Sequence, residues 1–300
     1  MNDNVRGTLE MSAAMVIAGT IGWLVVLSGR PVTDVVFWRC LFGAATLLPV
    51  CLALGHFKRG RVTARQLGLA VLGGVAIVAN WLLLFSAYSR ASISIATVVY
   101  NVQPFMLVGL GVLLLHERLT RSRVFWLVLA FGGVLLIVQA QPEGQAAGSD
   151  YLTGVAMALG AAFFYAVAAL IAKSLRGVPP HLIGLIQTVV GVALLWPLAH
   201  WSDPIASASW PYLVTLGVVH TGGMYILLYG AIQRLPTYLT GSLSFIYPIV
   251  AFLVDAWAFG KHPQLLQLLG ASAILLGAAG MVLGWSEGPQ ALRMVRRRRA

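Results

Sequence analysis

The chain is built from apolar runs about as long as a membrane-spanning helix, separated by short polar gaps. A helix needs about 20 apolar residues to cross the hydrocarbon core of a bilayer. Ten such runs can be drawn, at residues 8–27, 33–54, 66–87, 91–115, 122–140, 152–172, 181–200, 211–232, 237–259 and 264–285. Only 10% of the residues are charged, against about 25% in a soluble domain. The sequence therefore predicts an all-α integral membrane protein with ten transmembrane helices.

The basic residues orient this bundle. With the N-terminus in the cytoplasm, sixteen Lys and Arg residues lie in cytoplasmic segments, whereas Arg30, Arg90 and Lys261 lie outside and Arg39 lies within a span. Cytoplasmic loops carry the excess of Lys and Arg in membrane proteins. We therefore expect a multi-pass protein of the cell inner membrane with both termini in the cytoplasm.

The net charge of +11 raises the question of a nucleic-acid partner. The basic residues form no continuous face with interleaved aromatic side chains, so we expect none. The Arg run at 296–299 is read as a topology anchor. Binding of anionic membrane lipid is the alternative role for it.

An internal repeat appears when the sequence is shifted by 144 residues. Residues 85–90 then fall on 229–234, Pro104 falls on Pro248, and Gly133 falls on Gly277. With a four-residue adjustment, Pro49 falls on Pro197. Because each half holds five spans, an odd number, the second half enters the membrane from the opposite side. We therefore expect two inverted five-helix repeats, at 1–140 and 152–285, joined by a periplasmic linker at 141–151 and followed by a basic cytoplasmic tail at 286–300.

Several short stretches, in order and spacing, resemble the EamA family of the drug/metabolite transporter superfamily. They are Phe37-Trp38-Arg39, residues 87–92, Pro104, residues 115–120 and Gly132-Gly133-Val134. The resemblance covers the whole chain and implies a ten-helix exporter or permease with a central cavity between its halves. The second half departs from the first where Lys261 replaces Glu117 and Gln187 replaces Arg39.

Polar side chains cluster by depth around the two aligned prolines. Proline within a helix removes one hydrogen bond and frees a carbonyl group, which is tolerated at depth where it lines a cavity or faces protein. A buried amide or hydroxyl needs a partner, so these groups should face inward. The expected substrate-binding residues are Asn80, Trp81, Tyr100, Asn101, Gln103, Pro104, Tyr165, His220, Ser244, Tyr247 and Pro248. On a continuous helix Asn101 shares a face with Pro104, so we expect Asn101 on the cavity and Gln103 at its edge.

Two intramembrane charges are candidates for a functional role. Arg39 is placed to attract a substrate carboxylate, with structural hydrogen bonding as the alternative. Asp255 is placed to bind a proton for coupling, with an ion pair to Lys261 as the alternative. His220 is a further candidate proton site, because its intrinsic pKa lies near neutrality, with a hydrogen-bonded structural role as the alternative.

These features predict a secondary transporter that exports amino acids or related metabolites by alternating access, binding a small polar or zwitterionic molecule. The sequence holds no enzyme motif, such as His-Glu-x-x-His or Gly-x-Ser-x-Gly, so we expect no catalytic residue, no metal and no cofactor. A membrane-embedded enzyme acting on lipid and a channel are the alternatives. Gly280 and Gly284 have the spacing of a helix-packing motif, and we expect a monomer or weak dimer.

Overall fold

A computed structural model describes residues 3–57, 62–91, 93–117, 119–139, 151–200, 203–258, 264–283 and 285. Every regular element in these ranges is helical. The first half contains α1 (Asp3–Ala18), α2 (Ile21–Ser28), α3 (Val32–Ala53), α4 (Ala64–Ala91), α5 (Ile93–Tyr100), α6 (Gln103–Leu115) and α7 (Arg121–Gln139). The second half contains α8 (Tyr151–Ser174), α9 (Pro180–Leu195), α10 (Trp210–Gly217), α11 (Met224–Arg234), α12 (Thr237–Ser244), α13 (Ile246–Ala258) and α14 (Leu265–Leu283). The expected linker at 141–150 and the tail at 286–300 lie outside the described residues.

Seven helical stretches among the described residues are long and apolar enough to cross a membrane. They comprise 3–28, 32–53, 64–91, 151–174, 180–198, 207–234 and 265–283. The predicted fourth and ninth spans are each divided into two shorter helices, and α7 fills the predicted fifth. The all-helical membrane architecture is therefore present, and the ten-span count stays a prediction.

Several spans are interrupted where the sequence predicted continuous helix. The first breaks at Gly19-Thr20, between α1 and α2. The eighth contains a π-helix at Val218–Gly223, between α10 and α11. The fourth breaks at residues 101–102 and the ninth at Phe245, which are equivalent positions under the 144-residue shift.

The prolines in the fourth and ninth spans therefore do not sit in a helix interior. Pro104 and Pro248 lie in the first turns of α6 and α13. The first N–H groups of a helix have no intrahelical partner, so a proline there removes no helical hydrogen bond. The breaks fall just before the prolines, and this corrects the expectation of a proline-kinked continuous helix.

Corresponding helices of the two halves pack against each other reciprocally. On α7, a Cβ at Gly133 would lie 2.5 Å from the Gly270 carbonyl oxygen of α14. On α14, a Cβ at Gly277 would lie 2.8 Å from the Trp126 carbonyl oxygen of α7. Gly133 and Gly277 are equivalent under the 144-residue shift, and so are Trp126 and Gly270. Trp126 also faces Gly280. Residues early in α7 thus contact residues late in α14, and the reverse, so the two helices are antiparallel.

The same reciprocity occurs where α1 meets α11 and where α8 meets α4. A Cβ at Gly7 would lie 2.8 Å from Leu235 Cγ. A Cβ at Gly154 would lie 2.6 Å from Ala91 Cβ. Leu235 and Ala91 are 144 positions apart and Gly7 and Gly154 are 147 apart, so this pair of contacts defines an offset of 147 between the first and sixth spans. Glycines at these positions allow the close helix approach that membrane bundles favour.

A third reciprocal contact joins α3 and α9. A Cβ at Gly43 would lie 3.2 Å from Thr188 Cγ2, and a Cβ at Gly191 would lie 2.3 Å from Cys40 Sγ. Both pairs of equivalents, Gly43 with Gly191 and Cys40 with Thr188, are 148 positions apart. This is the offset that aligns Pro49 with Pro197.

Candidate functional site

A central cavity of about 640 Å³, including its mouth, lies between the two halves. The wall comprises Met15, Ala18, Ile21, Gly22, Arg39, Asn80, Trp81, Leu84, Phe85, Tyr88, Tyr100, Gln103, Tyr165, Met224, Tyr225, Leu228, Ser244 and Tyr247. Apolar and aromatic side chains dominate it, with a few polar groups between them.

Seven of the predicted substrate-binding residues lie on this wall. They are Asn80, Trp81, Tyr100, Gln103, Tyr165, Ser244 and Tyr247. Arg39, predicted for a charge role, lies there too. Helices from both halves therefore bring together side chains that are far apart in the sequence.

Arg39 is the one charged residue among those that line the cavity, and its side chain is almost fully buried. Its Nε donates a hydrogen bond to Thr221 Oγ1 at 2.7 Å, and its Nη2 donates to the His220 carbonyl oxygen at 3.3 Å. The guanidinium carbon lies 4.1 Å from the centre of the Trp81 ring, within range of a cation–π interaction. The third nitrogen, Nη1, is buried without a hydrogen-bond partner.

The π-helix supplies the partners of Arg39. Thr221 Oγ1 donates to the Leu216 carbonyl oxygen at 2.9 Å, five residues earlier, while it accepts from Arg39. Single π-turns in α-helices occur frequently at functional sites. This irregular segment thus fixes the guanidinium from one side and leaves Nη1 free.

Two amides lie on the wall, Asn80 and Gln103. Asn80 Nδ2 donates to the Ala161 carbonyl oxygen at 2.7 Å and lies 3.4 Å from the Tyr100 hydroxyl, so it ties α4 to α8. Gln103 lies in the first turn of α6, and its Oε1 is buried without a hydrogen-bond partner. Among the fully buried side-chain atoms of the described wall residues, Arg39 Nη1 and Gln103 Oε1 are therefore a donor and an acceptor without a hydrogen-bond partner.

At the centre of the cavity, equivalent residues of both halves line the wall. Six equivalent pairs line it, namely Ala18 with Tyr165, Asn80 with Met224, Trp81 with Tyr225, Leu84 with Leu228, Tyr100 with Ser244, and Gln103 with Tyr247. The rings of Trp81 and Tyr225 touch edge to face with centroids 5.8 Å apart. The pairing means that both repeats contribute matching positions to one wall.

Six residues of the wall are unpaired, and all but Met15 and Arg39 lie towards one side. Ile21, Gly22, Phe85 and Tyr88 line the cavity towards the last turns of α2 and α4. Their second-half equivalents do not line it and are buried: Ala168, Ala169, Tyr229 and Ile232. The cavity is therefore asymmetric, although the sequence positions that could form it are symmetric.

Polar contacts close the opposite end of the bundle. Glu117, just after α6, accepts hydrogen bonds from the Thr237 backbone N–H at 2.9 Å and from its hydroxyl at 2.5 Å. The other Glu117 oxygen lies 3.3 Å from Lys173 Nζ on α8, which donates to the Leu235 carbonyl oxygen. These contacts connect α6, α8 and the start of α12.

A second ion pair at that end joins Glu10 of α1 to Arg234 of α11, at 2.5 Å. Glu10 also pairs with Arg6 at 2.8 Å. The contacts of Glu10 and Glu117 together hold the ends of α1, α6, α8 and α11 around the cavity floor.

Four predicted residues lie away from the wall. Asn101 is buried at the turn before α6, where its Nδ2 donates to the Thr97 carbonyl oxygen at 2.7 Å. Because the helix breaks at 101–102, continuous-helix geometry does not apply, and Gln103 rather than Asn101 reaches the cavity. Pro104 and Pro248 are buried, and Pro104 packs against Gly241 of α12.

His220, the fourth, connects two irregular segments behind the wall. Its Nε2 lies 2.6 Å from Thr20 Oγ1, and its Nδ1 lies 3.2 Å from the Thr215 carbonyl oxygen. The π-helix is thereby joined to the break in the first span. The Asp255 side chain, Lys261 and Gly284 lie outside the described residues, and Gly280 packs against Trp126 within the chain.

Ten wall residues were not predicted: Met15, Ala18, Ile21, Gly22, Leu84, Phe85, Tyr88, Met224, Tyr225 and Leu228. Some carried a usable signal, because the 144-residue shift places Met224, Tyr225 and Leu228 on Asn80, Trp81 and Leu84. The residues towards α2 had no such signal, since their equivalents are buried.

Comparison with known proteins agrees with this arrangement. The model of the EamA-like transporter family matches twice, at residues 6–139 and 152–283. An uncharacterised transporter of Bacillus subtilis, YxxF, is 31% identical over 278 residues, covering 90% of this chain and 88% of the relative. A Salmonella typhimurium protein named "Probable amino-acid metabolite efflux pump" is 25% identical over 278 residues, covering 87% and 86%.

Two further similarities concern a named relative and the fold. Protein RarD of Salmonella typhimurium is 28% identical over 240 residues, covering 77% of each chain. A protein of known crystal structure shares the fold with a TM-score of 0.78 at 21% identity, covering 91% of this chain and 95% of its own. With both halves matched by the family model, the chain belongs to the EamA-like transporter family of the drug/metabolite transporter superfamily.

Proposed function

We propose that this protein is a secondary transporter that exports amino acids or related small metabolites across the inner membrane by alternating access. One observation carries the proposal. The cavity wall is paired between the halves at its centre, and four of its six unpaired residues lie towards the last turns of α2 and α4. A transporter that exchanges two shapes about a fixed site needs this combination of symmetric positions and asymmetric exposure.

The underlying architecture is ten spans arranged as two inverted repeats. The antiparallel packing of α7 on α14 supports it, because these are corresponding helices of the two halves. The reciprocal contacts of Gly43 and Gly191 support it independently, since they involve different spans and follow the offset of Pro49 and Pro197. Inversion follows if each half holds five spans, so that corresponding helices cross the membrane in opposite directions.

The described state is open to the outside. With both termini in the cytoplasm, α2 and α4 finish at the outer face, and the unpaired wall extends towards them. The contacts of Glu10 and Glu117 then lie at the cytoplasmic face and close it. In the inward-open state, Ala168, Ala169, Tyr229 and Ile232 take the places of Ile21, Gly22, Phe85 and Tyr88.

The cavity chemistry suits a small polar molecule with an apolar part. Aromatic rings form much of the wall, and Arg39, Asn80 and Gln103 add polar groups between them. The name of the Salmonella relative supports an amino-acid metabolite and the outward direction. A channel would need a path open at both ends, and the closed end favours a transporter.

Counterflow in liposomes tests this function. Purified protein is reconstituted into liposomes loaded with one unlabelled compound, and uptake of the same radiolabelled compound is measured with and without a pH gradient. Amino acids, nucleosides and sugars form the panel. Accelerated uptake of at least one compound, saturable and absent from protein-free liposomes, is expected; no counterflow of any compound contradicts transport.

Two glycine variants provide a matched control. A Cβ added at Gly22 or at Gly68 meets no atom within 4 Å, so neither Gly22→Phe nor Gly68→Phe introduces a clash at its Cβ. Only Gly22 lies on the cavity wall. We expect Gly22→Phe to abolish counterflow and Gly68→Phe to retain it, and equal rates would place the pathway elsewhere.

A further inference from the structure

The unused hydrogen-bonding groups of the cavity define what its ligand must carry. Arg39 Nη1 is a cationic donor and Gln103 Oε1 is an acceptor; both are buried, and neither has a hydrogen-bond partner among the residues that the structure describes. A buried polar group without a partner is costly, and a charged one more so. A ligand that satisfies both groups therefore binds more favourably than one that satisfies neither.

The charged residues on the wall determine which charge a ligand group beside Arg39 should carry. None of the described residues on the wall is Asp or Glu, so no protein carboxylate neutralises the guanidinium there. Its contacts with Thr221 and His220 are to neutral oxygens. Charge-assisted hydrogen bonds to a carboxylate are stronger than such neutral ones, so an anionic group is the ligand that Nη1 accommodates best.

The position of the guanidinium is fixed before a ligand arrives. Thr221 holds Nε from the π-helix, and the Trp81 ring lies against the guanidinium carbon at 4.1 Å. Arg39 is 1% exposed, so water screens its charge little. Preorganisation of this kind lowers the cost of ordering a site on binding.

We propose, building on the transport function above, that the cavity recognises an amino acid through both of its charged groups. The carboxylate accepts from Arg39 Nη1, and the ammonium group donates to Gln103 Oε1. The side chain of the amino acid then packs against the aromatic wall. Both a free carboxylate and a free ammonium group are required for tight binding.

The first test uses ligand analogues and the unaltered protein. The twenty proteinogenic amino acids are screened by counterflow in liposomes beside neutral nucleosides and sugars. The best-transported amino acid then competes with its amide, which lacks the carboxylate, and with its desamino analogue. Loss of one charge-assisted hydrogen bond should weaken competition by about 10- to 150-fold in each case.

Variants assign each requirement to one residue. In Arg39→Gln the amide should compete as well as the amino acid, while the preference over the desamino analogue remains. In Gln103→Leu the reverse is expected. Thr221→Val removes the bond to Nε but keeps Nη1, so it should lower stability and leave the preference for acid over amide in place.

The outcomes separate this inference from the transport function. If the amide competes equally with the amino acid on the unaltered protein, or if only nucleosides or sugars are transported, recognition through Arg39 is refuted while transport stands. If Arg39→Gln does not fold, Gln103→Leu and the analogue series still decide. If no compound is transported, both proposals fail.

Discussion

Gly133 and Gly277, 144 positions apart, each lie against the helix that carries the other. Gly133 meets Gly270 and Ile274, and Gly277 meets their equivalents, Trp126 and Ala130. A contact that maps onto itself under the repeat offset is what a two-fold axis between the halves produces. The α7–α14 interface is therefore the place where the repeat relationship is most directly visible.

Alanine at either glycine should destabilise the protein. In Gly133→Ala the new Cβ would lie 2.5 Å from the Gly270 carbonyl oxygen, and in Gly277→Ala it would lie 2.8 Å from that of Trp126. Overpacking of this kind costs about 1–3 kcal/mol. Thermal unfolding in detergent should show a lower Tm for both. Gly132→Ala is the control, because its Cβ meets nothing within 4 Å; a fall in Tm as large there would argue against the contact.

The sequence predicted an all-helical membrane protein because hydropathy averaged over about 20 residues indicates membrane-spanning helices. It also predicted the alignment of Arg39 with Gln187, since both lie in spans aligned by Pro49 and Pro197. It did not predict the helix break at residues 101–102. The break places Gln103 rather than Asn101 on the wall, and an argument from continuous-helix geometry cannot anticipate it.

No pattern in the sequence predicts the asymmetry of the cavity. Phe85 and Tyr229 occupy equivalent positions, yet only Phe85 lines the wall. The alternating-access proposal attributes this difference to the conformational state rather than to residue type. The π-helix that holds Arg39 likewise has no counterpart in α4, although the two segments align.

Thr20 and His220 should be energetically coupled. Their side chains are 2.6 Å apart, although they lie 200 residues apart in sequence. A double-mutant cycle of Thr20→Val and His220→Phe should give a coupling free energy of about 0.5–3 kcal/mol, measured by denaturant unfolding. Ser272 on α14 bonds the Leu268 carbonyl oxygen of its own helix, so Ser272→Ala should be additive with His220→Phe. Additivity for the Thr20 pair would rule out the contact.

Neutralising Glu117 should favour the inward-open state. In Glu117→Gln, Lys173 loses its ionic partner and the Thr237 donors lose a charged acceptor. Removal of such hydrogen bonds shifts the balance by about 1–3 kcal/mol. A cysteine at Ile232 should therefore react faster with a maleimide. Asp34, which pairs with Arg30 at the other end of the bundle, provides the control. Asp34→Asn should leave the labelling rate at the Ile232 site unchanged. An equal increase in that rate would contradict the role of the Glu117 contacts in closing the bundle.

The orientation can be tested with topology reporters. Fusions after Arg61, Arg121, Arg176 and the C-terminus should report cytoplasm, because sixteen basic residues lie on that side. Fusions after Gln145 and Ser207 should report the outside. A periplasmic C-terminus would contradict both the ten-span count and the inversion of the halves.

Labelling of Tyr88 and Ile232 tests alternating access most directly. These residues are equivalent under the repeat, but Tyr88 lines the cavity and Ile232 is buried. Each is replaced by cysteine, singly and together, after the native Cys40 and Cys51 have been changed to Ala, and a bulky maleimide is added to protein in nanodiscs. Each single variant should take one label, because each site is exposed in one state. The double variant should also take only one label per molecule by mass spectrometry, since a label at either site holds that side open and the other closed. Two labels per molecule, or an unreactive Ile232→Cys variant, would contradict the account.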